Sequence, residues 1–533
     1  MRSPWKERLF FALKRGWFSG AIVFIYLYSF PYFEGIQSAN ELPRIYLTIA
    51  IVERAAFNID VELHRYQPNT RDTSVYKGEL YSNKAPGMSF LTIPVYVVLK
   101  FFNGWDSPSL VSLFYWFRFF GSAVPSLLFL LLFWRFLNIA LPSLAERRLA
   151  LAAYAVGTMA LVYGTEFIAN QLSAVLIGTG FILLFLYSRG RGGRWLPGWA
   201  GLAAGAAVLV DYQTAFVGPP LFVYLLFRAR PRLSSAIKFC IGAAVPLGLL
   251  LFYHWGCFED PFKTGYSYLS HSVSARQVSE GFLGLKAFNW NVFLERHFSP
   301  DDGLFYYSPF LLLSFLGVVL MLKRSWCAEG ILCFAVIGFF VYFISALGFA
   351  AGWDVGPRYI IAALPFYMVA IAILLQRCAG RWYLQLIPYG LVAVSIIIYS
   401  MAAAVFPHYP DNFSNPWFDV TLRFGRAGYL PYNLGWFFGL RGVASMIPYL
   451  LVVGALLLAL FWGANRKKIS RIAVTVGALT ICALVFGGYY LGLSKRARPV
   501  PNYFIPWMSD IWEPRHDKLF KENLLKPLGP ERR

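Results

Sequence analysis

Long apolar runs dominate the chain, separated by short basic connections and a few long polar ones. A bilayer-crossing helix needs about 20 mostly apolar residues. The pattern predicts such helices near 17–33, 111–137, 149–165, 169–188, 197–212, 213–228, 236–254, 308–322, 329–349, 358–376, 383–405, 445–463 and 471–493. A further apolar stretch, 86–102, decides the topology. If it crosses, Arg147–Arg148 and RGRGGR at 189–194 fall outside. If it lies along the outer surface, those two loops fall inside, together with RARPR at 228–232, Lys323–Arg324, QRCAGR at 376–381 and NRKK at 465–468. Lys and Arg concentrate in cytoplasmic loops, so the second arrangement is the expected one.

The expectation is an all-α polytopic membrane protein of about thirteen spans with an inside N-terminus. The first apolar run follows a basic start without a small-residue cleavage site, so it reads as an uncleaved span. Helix 86–102 lies in the outer interface. The pair 197–228 needs a very tight turn. The long outer loops are 34–110, 255–307 and 407–444, and a polar tail covers 494–533. Inner loops are short, so the chemistry belongs outside. No repeat or flexible linker stands out; residues 1–493 read as one transmembrane domain with a small outer cap.

Composition agrees. Hydrophobic residues make up 58% of the chain and charged ones 14%, against roughly a quarter charged in globular domains. The net charge of +21 would suggest nucleic acid in a soluble protein. Here it is accounted for by the inner loops, and no nucleic-acid partner is expected. Five of the six cysteines fall in spans or at their inner ends and only Cys257 in an outer loop, so no disulfide or cysteine metal cluster is expected.

Candidate chemistry gathers in the first outer loop. From Leu42, apolar residues recur at Ile45, Ile49, Val52 and Ala56, the spacing of an amphipathic helix whose other face carries Glu41, Arg44 and Thr48. Ser38 and Glu41 also fit a capping box, in which the acid only closes the helix end. Lys84 precedes Pro86 in YSNKAPG. A lysine just before a helix N-terminus makes an anion site, or else reaches lipid headgroups. Arg118 lies within the apolar LFYWFRFFGSAV, where a charge marks either function or a snorkelling side chain. In GWDVGPR at 352–358, Asp354 and Arg358 bracket a Gly-Pro turn. The arginine suits a phosphate, and the pair equally suits fixing the turn. Polar clusters at YGTEFIANQ (Glu166, Asn170, Gln171) and LVDYQTAF (Asp211, Gln213) read as interfacial. CFEDPFKTGYSY at 257–268, containing Tyr266, and FSPDDGLFYYSP at 298–309 read either as glycan-site walls or as turns in an aromatic belt. The histidines show no metal spacing, and no nucleotide loop or nucleophile elbow is present.

These stretches resemble the glycosyltransferase C superfamily, in the branch of protein O-mannosyltransferases and bacterial lipid A aminoarabinose transferases. The family's D-E-x-x-R-Y opening of the first outer loop is matched by NELPRIY at 40–46, and its K-A-P-G segment by SNKAPG at 82–87. A group of bacterial membrane proteins is closer still, through AIVERAAFNID at 50–60, AAYAVGTMALVYGTEF at 152–167, FKTGYSY at 262–268, SPDDGLFYYSP at 299–309 and GWDVGPRY at 352–359. The resemblance spans roughly 17–376. It implies inverting transfer of a sugar from a polyprenyl-phosphate donor to a glycan, lipid or protein hydroxyl, on the outer face of a bacterial inner membrane. A first-loop acid would be the general base, with Lys84 and Arg358 neutralising the leaving lipid phosphate. The first acid of the family pair is Asn40 here, so the role passes to Glu41, with Asp60 and Asp72 as further candidates. Arg44, Lys84, Arg118, Asp354, Arg358 and Tyr266 form the expected substrate-binding set, and no metal or other cofactor is expected. Three other functions compete: a transporter or flippase of lipid-linked sugars, a scaffold for envelope assembly, and a lipid-diphosphate-dependent polymerase or ligase. A transporter would show inverted repeats and broken helices at mid-membrane, which the sequence does not display.

Overall fold

A computed structural model describes residues 4–30, 40–66, 70, 72–279, 284–323, 325–348, 352–410 and 413–492, with backbone only for 4–15. The expected tail at 494–533, Ser38 of the capping box and Arg324 of an inner loop lie outside the described residues.

Among the described residues, eight helices are long and apolar enough to cross a membrane: Leu110–Ala140, Ala169–Ser188, Arg232–Phe258, Cys327–Ala346, Arg358–Cys378, Trp382–Val405, Val443–Gly463 and Lys468–Gly492. Each overlaps a predicted span. Four shorter apolar helices, Gly16–Tyr28, Gly87–Phe102, Leu196–Val210 and Pro309–Leu322, fall at three further predicted spans and at the predicted interface helix. The remaining two predicted spans are not single helices. The first, 149–165, breaks after Leu144–Val156, where Gly157 closes the helix. The second, 213–228, is a 3-10 turn, Tyr212–Phe216, followed by the 11-residue helix Gly218–Arg228. The count of thirteen is therefore not reproduced.

Burial separates the bundle into a centre and a rim. In the most apolar 18 residues of each helix, 83% are buried in Arg358–Cys378 and 78% in Ala169–Ser188, against 17% in Lys468–Gly492 and 22% in Arg232–Phe258. The rim exposes Val245, Leu451 and Leu484. So much outward apolar area suits contact with lipid. Helices Leu196–Val210 and Arg232–Phe258 pack closely because glycines face the contact. A Cβ at Gly201 would collide with the Phe239 carbonyl, and one at Gly242 with the Gly198 carbonyl. Small residues let membrane helices approach in this way.

The first outer loop folds into a compact unit. Helix α1 (Pro4–Tyr28) precedes it. Helix α2 (Leu42–Arg54) carries proline in its first turn, which suits the position because its missing N–H is not needed there. The short α3 (Asp60–Tyr66) follows. Strands β1 (Thr73–Tyr76) and β2 (Glu79–Ser82) form a hairpin, and α4 (Gly87–Phe102) comes next. Lys77 and Gly78 both have positive φ, 51° and 87°, the backbone of a type I′ turn. The polar side of α2 is not solvated: Leu42 to Ala50 are all buried, Arg44 and Thr48 included. Its polar groups meet α4 instead. Thr48 Oγ1 lies 3.0 Å from Thr92 Oγ1, and the Ser89 hydroxyl donates to the Arg44 carbonyl at 2.8 Å.

Candidate active site

The hairpin register sets one edge of the site. Thr73 pairs with Ser82, so Asp72 and Lys84 emerge side by side just past the strand ends. The Lys84 ammonium lies 3.1 Å from Asp72 Oδ2. The second long loop packs on the same hairpin, with the Ser74 hydroxyl on the Gly265 carbonyl (2.7 Å) and the Ser270 amide on the Thr73 carbonyl (3.0 Å). That docking brings Tyr266 to the site. Arg44 enters from the first turn of α2, fixed through its backbone by Ser89. Arg358 enters at the start of the 3-10 turn Arg358–Ala363, after Gly356, whose φ of 78° favours glycine. Asp354 holds Arg358 at 2.8 Å and is itself held by its amide on the Tyr409 carbonyl at 3.1 Å.

Arg44, Lys84 and Arg358 line one cleft of about 390 Å³, part of it continuous with solvent. Its walls add the phenols Tyr212, Tyr266 and Tyr359, the amides Asn40 and Asn170, and the carboxylate Asp211. The Tyr212 hydroxyl lies 2.9 Å from His254 Nε2, and its ring meets Tyr266 edge-on with centroids 6.1 Å apart.

The three cations are differently compensated. Lys84 has Asp72 and Arg358 has Asp354. Arg44 is 5% exposed, donates to the Asn40 carbonyl and amide oxygens, and has no carboxylate partner among the described residues. Its Nε is buried without a hydrogen bond. Burial pulls the Lys84 pKa below its ordinary value; Asp72 opposes this and Arg44 reinforces it. Burial alone would raise the Asp72 carboxyl, but Lys84, with Arg358 and Arg44, brings it below the usual carboxylate range.

Four expected residues therefore meet: Arg44, Lys84, Arg358 and Tyr266. Asp72 and Asp354 stand directly behind two of them. Glu41 and Arg118 do not line the cleft. Glu41 is fully buried, accepts from Arg118 Nε at 2.8 Å and Nη2 at 2.6 Å, and takes the Phe167 amide at 2.6 Å. It occupies the N-cap position of α2 without capping it. Asp60 is also elsewhere: both its carboxylate oxygens accept the Leu80 amide, at 3.2 and 3.1 Å, which steadies the hairpin. Behind Glu41, Glu166 Oε1 lies 3.8 Å from His408 Nδ1. Burial pushes the Glu166 carboxyl well up and the His408 imidazole down to about 4.

Asp211 and Asn170, which the sequence alone marks only as interfacial, belong to this cleft. Each follows or opens an apolar helix, and nothing local says that both turn into one cleft.

Crystal structures of ArnT from Cupriavidus metallidurans are similar in chain path. The one bound to undecaprenyl phosphate is 14% identical, with 96% of this chain and 85% of that chain covered and a TM-score of 0.44. The apo structure is 16% identical, with 89% and 77% covered and a TM-score of 0.43. No protein-family model and no curated protein matches the chain.

Proposed function

We propose that the chain is an integral membrane glycosyltransferase of the glycosyltransferase C type. It moves a sugar, with inversion, from a polyprenyl-phosphate donor to an acceptor hydroxyl on the outer face of a bacterial cell membrane. The observation that carries this reading is Arg44, a buried guanidinium in no ion pair among the described residues, sharing a cleft with Lys84 and Arg358. Three cations held together in a partly desolvated space repel one another, and an unpaired buried cation is costly. An anionic ligand relieves both. Arginine forks bind two phosphate oxygens at once, and lysine adds a point charge.

The chemistry fits the same charges. When a sugar leaves a polyprenyl phosphate, the phosphate gains a negative charge. Cations already in place stabilise that charge more in the transition state than in the bound donor. Tyr212, Tyr266 and Tyr359, with Asn40 and Asn170, offer flat faces and hydrogen bonds for a sugar ring. Asp72 and Asp354 hold Lys84 and Arg358 in position, and the Glu41–Arg118 pair braces the end of α2 that delivers Arg44.

Membranes containing the wild type, Arg44→Ala or Lys84→Ala at matched levels, given a panel of radiolabelled polyprenyl-phosphate and polyprenyl-diphosphate sugars, test this. The reading expects one monophosphate donor to be consumed by the wild type and each variant to lose on the order of 100-fold in rate. Consumption of only a diphosphate donor, or equal rates in all three, contradicts it.

A further inference from the structure

We propose that Asp211 is the group that takes the proton from the acceptor hydroxyl. This rests on the reading of the cleft as a lipid-phosphate sugar site and assigns within it a role that no first-loop acid is placed to fill.

A general base needs an available lone pair beside the reacting carbon. Neither Glu41 nor Asp60 lines the cleft: the Arg118 fork holds Glu41, and Asp60 faces the Leu80 amide of the hairpin. Asp72 is held by Lys84, and Asp354 by Arg358. Asp211 differs. It lies just past the end of helix Leu196–Val210 in extended backbone, φ −151° and ψ 111°, and lines the same cleft as Arg44, Lys84 and Arg358. Its side-chain donors all fall on one oxygen: Gln213 Nε2 at 2.8 Å, Asn170 Nδ2 at 3.2 Å and the Ser173 hydroxyl at 3.5 Å, each to Oδ2. Among the described residues no side chain donates to Oδ1 and no Lys or Arg forms an ion pair with the group, although the Arg44 charge favours its ionised form. Side chains thus clamp one oxygen and leave the other without a side-chain donor, with the Gln213 amide adding a backbone hydrogen bond to the carboxylate.

The step balances. The acceptor O–H proton passes to Asp211 Oδ1 as the acceptor oxygen forms a bond to the anomeric carbon. The bond from that carbon to the phosphate oxygen breaks, and its electron pair stays on the phosphate, facing Arg44, Lys84 and Arg358. The proton then leaves through the open side of the cleft to water.

The test uses the purified full chain, wild type, Asp211→Asn and Asp211→Glu, in lipid bicelles. Polyprenyl-phosphate binding and sugar-transfer rate against pH are both read. Asn keeps the size, and its carbonyl can still accept from Gln213 and Asn170. The expected result is unchanged polyprenyl-phosphate binding by Asp211→Asn, with the transfer rate down roughly 10²–10⁴-fold. The acid-side fall in rate should also disappear, with partial recovery in Asp211→Glu. Wild-type rate and pH profile in Asp211→Asn would overturn the assignment, as would parallel loss of binding and rate, which marks a structural residue. If the wild type itself neither binds polyprenyl phosphate nor transfers from it, the reading of the cleft fails first and the assignment falls with it.

Discussion

Arg118 sets two guanidinium nitrogens on the two carboxylate oxygens of Glu41, at 2.8 and 2.6 Å, with neither residue more than 2% exposed. The pair joins residues 77 positions apart. It is also the physical answer to the arginine inside an apolar stretch: a charge there persists when a buried, bidentate partner meets it.

Removing one member leaves the other charged and buried. Arg118→Ala should lower stability by roughly 3–5 kcal/mol. Glu41→Gln combined with Arg118→Met should be closer to the wild type than Arg118→Ala alone. Thermal unfolding in detergent, followed by tryptophan fluorescence, reads this. A single variant as stable as the wild type would show that the pair does not hold the loop.

The same pair sets a dependence on pH. Burial alone would raise the Glu41 carboxyl. Arg118 and the Phe167 amide outweigh it and hold the pKa below the ordinary 4.5. A carboxyl lowered on folding stabilises above its unfolded pKa and loses that contribution as pH falls through the folded value. The wild type should therefore lose melting temperature as pH drops below about 4.5, and Glu41→Gln should lose less over the same range. Parallel curves for the two proteins would contradict this.

Much of the helical framework could be read along the chain, because hydropathy is a local property. All eight long apolar helices fall at predicted spans. Failures came where local breaks matter: Gly157 ends a helix inside the predicted 149–165 span, and a 3-10 turn interrupts 213–228. Lys84 and Arg358 could be read as anion-binding types in helix-start contexts, and Arg44 as a polar-face residue of the first-loop helix that the resemblance put in the binding set. That they share one cleft is a property of the α2–α4 packing and the hairpin register, neither of which leaves a local signature. The partner of Glu41 was hidden for the same reason. The capping-box spacing of Glu41 and its place in the loop opening were both visible, while the arginine that claims it lies in another element. Asp211 was visible only as a polar residue after an apolar, glycine-rich helix, and its clamped oxygen depends on Asn170 and Ser173 from the neighbouring helix.

Gly201 faces the Phe239 carbonyl at the close helix contact, whereas Gly454 has no neighbouring atom within 4 Å of an added Cβ. Gly201→Val should destabilise by about 1–3 kcal/mol or more through overpacking. Gly454→Ala should be neutral or slightly stabilising, since alanine suits a helix interior better. Melting temperatures of the two variants check this. Equal effects would mean that the glycine contact does not control the packing.

The most direct test of the central claim is binding of polyprenyl phosphate to the purified full chain, wild type against Arg44→Ala and Arg44→Lys, with the unphosphorylated polyprenol as control. The account predicts saturable binding by the wild type, none of comparable strength for the polyprenol, and a loss of roughly 10–100-fold in Arg44→Ala, only partly restored by lysine because a fork is replaced by a point charge. Equal affinity for phosphate and alcohol, or an Arg44→Ala protein that binds as tightly as the wild type, would contradict it.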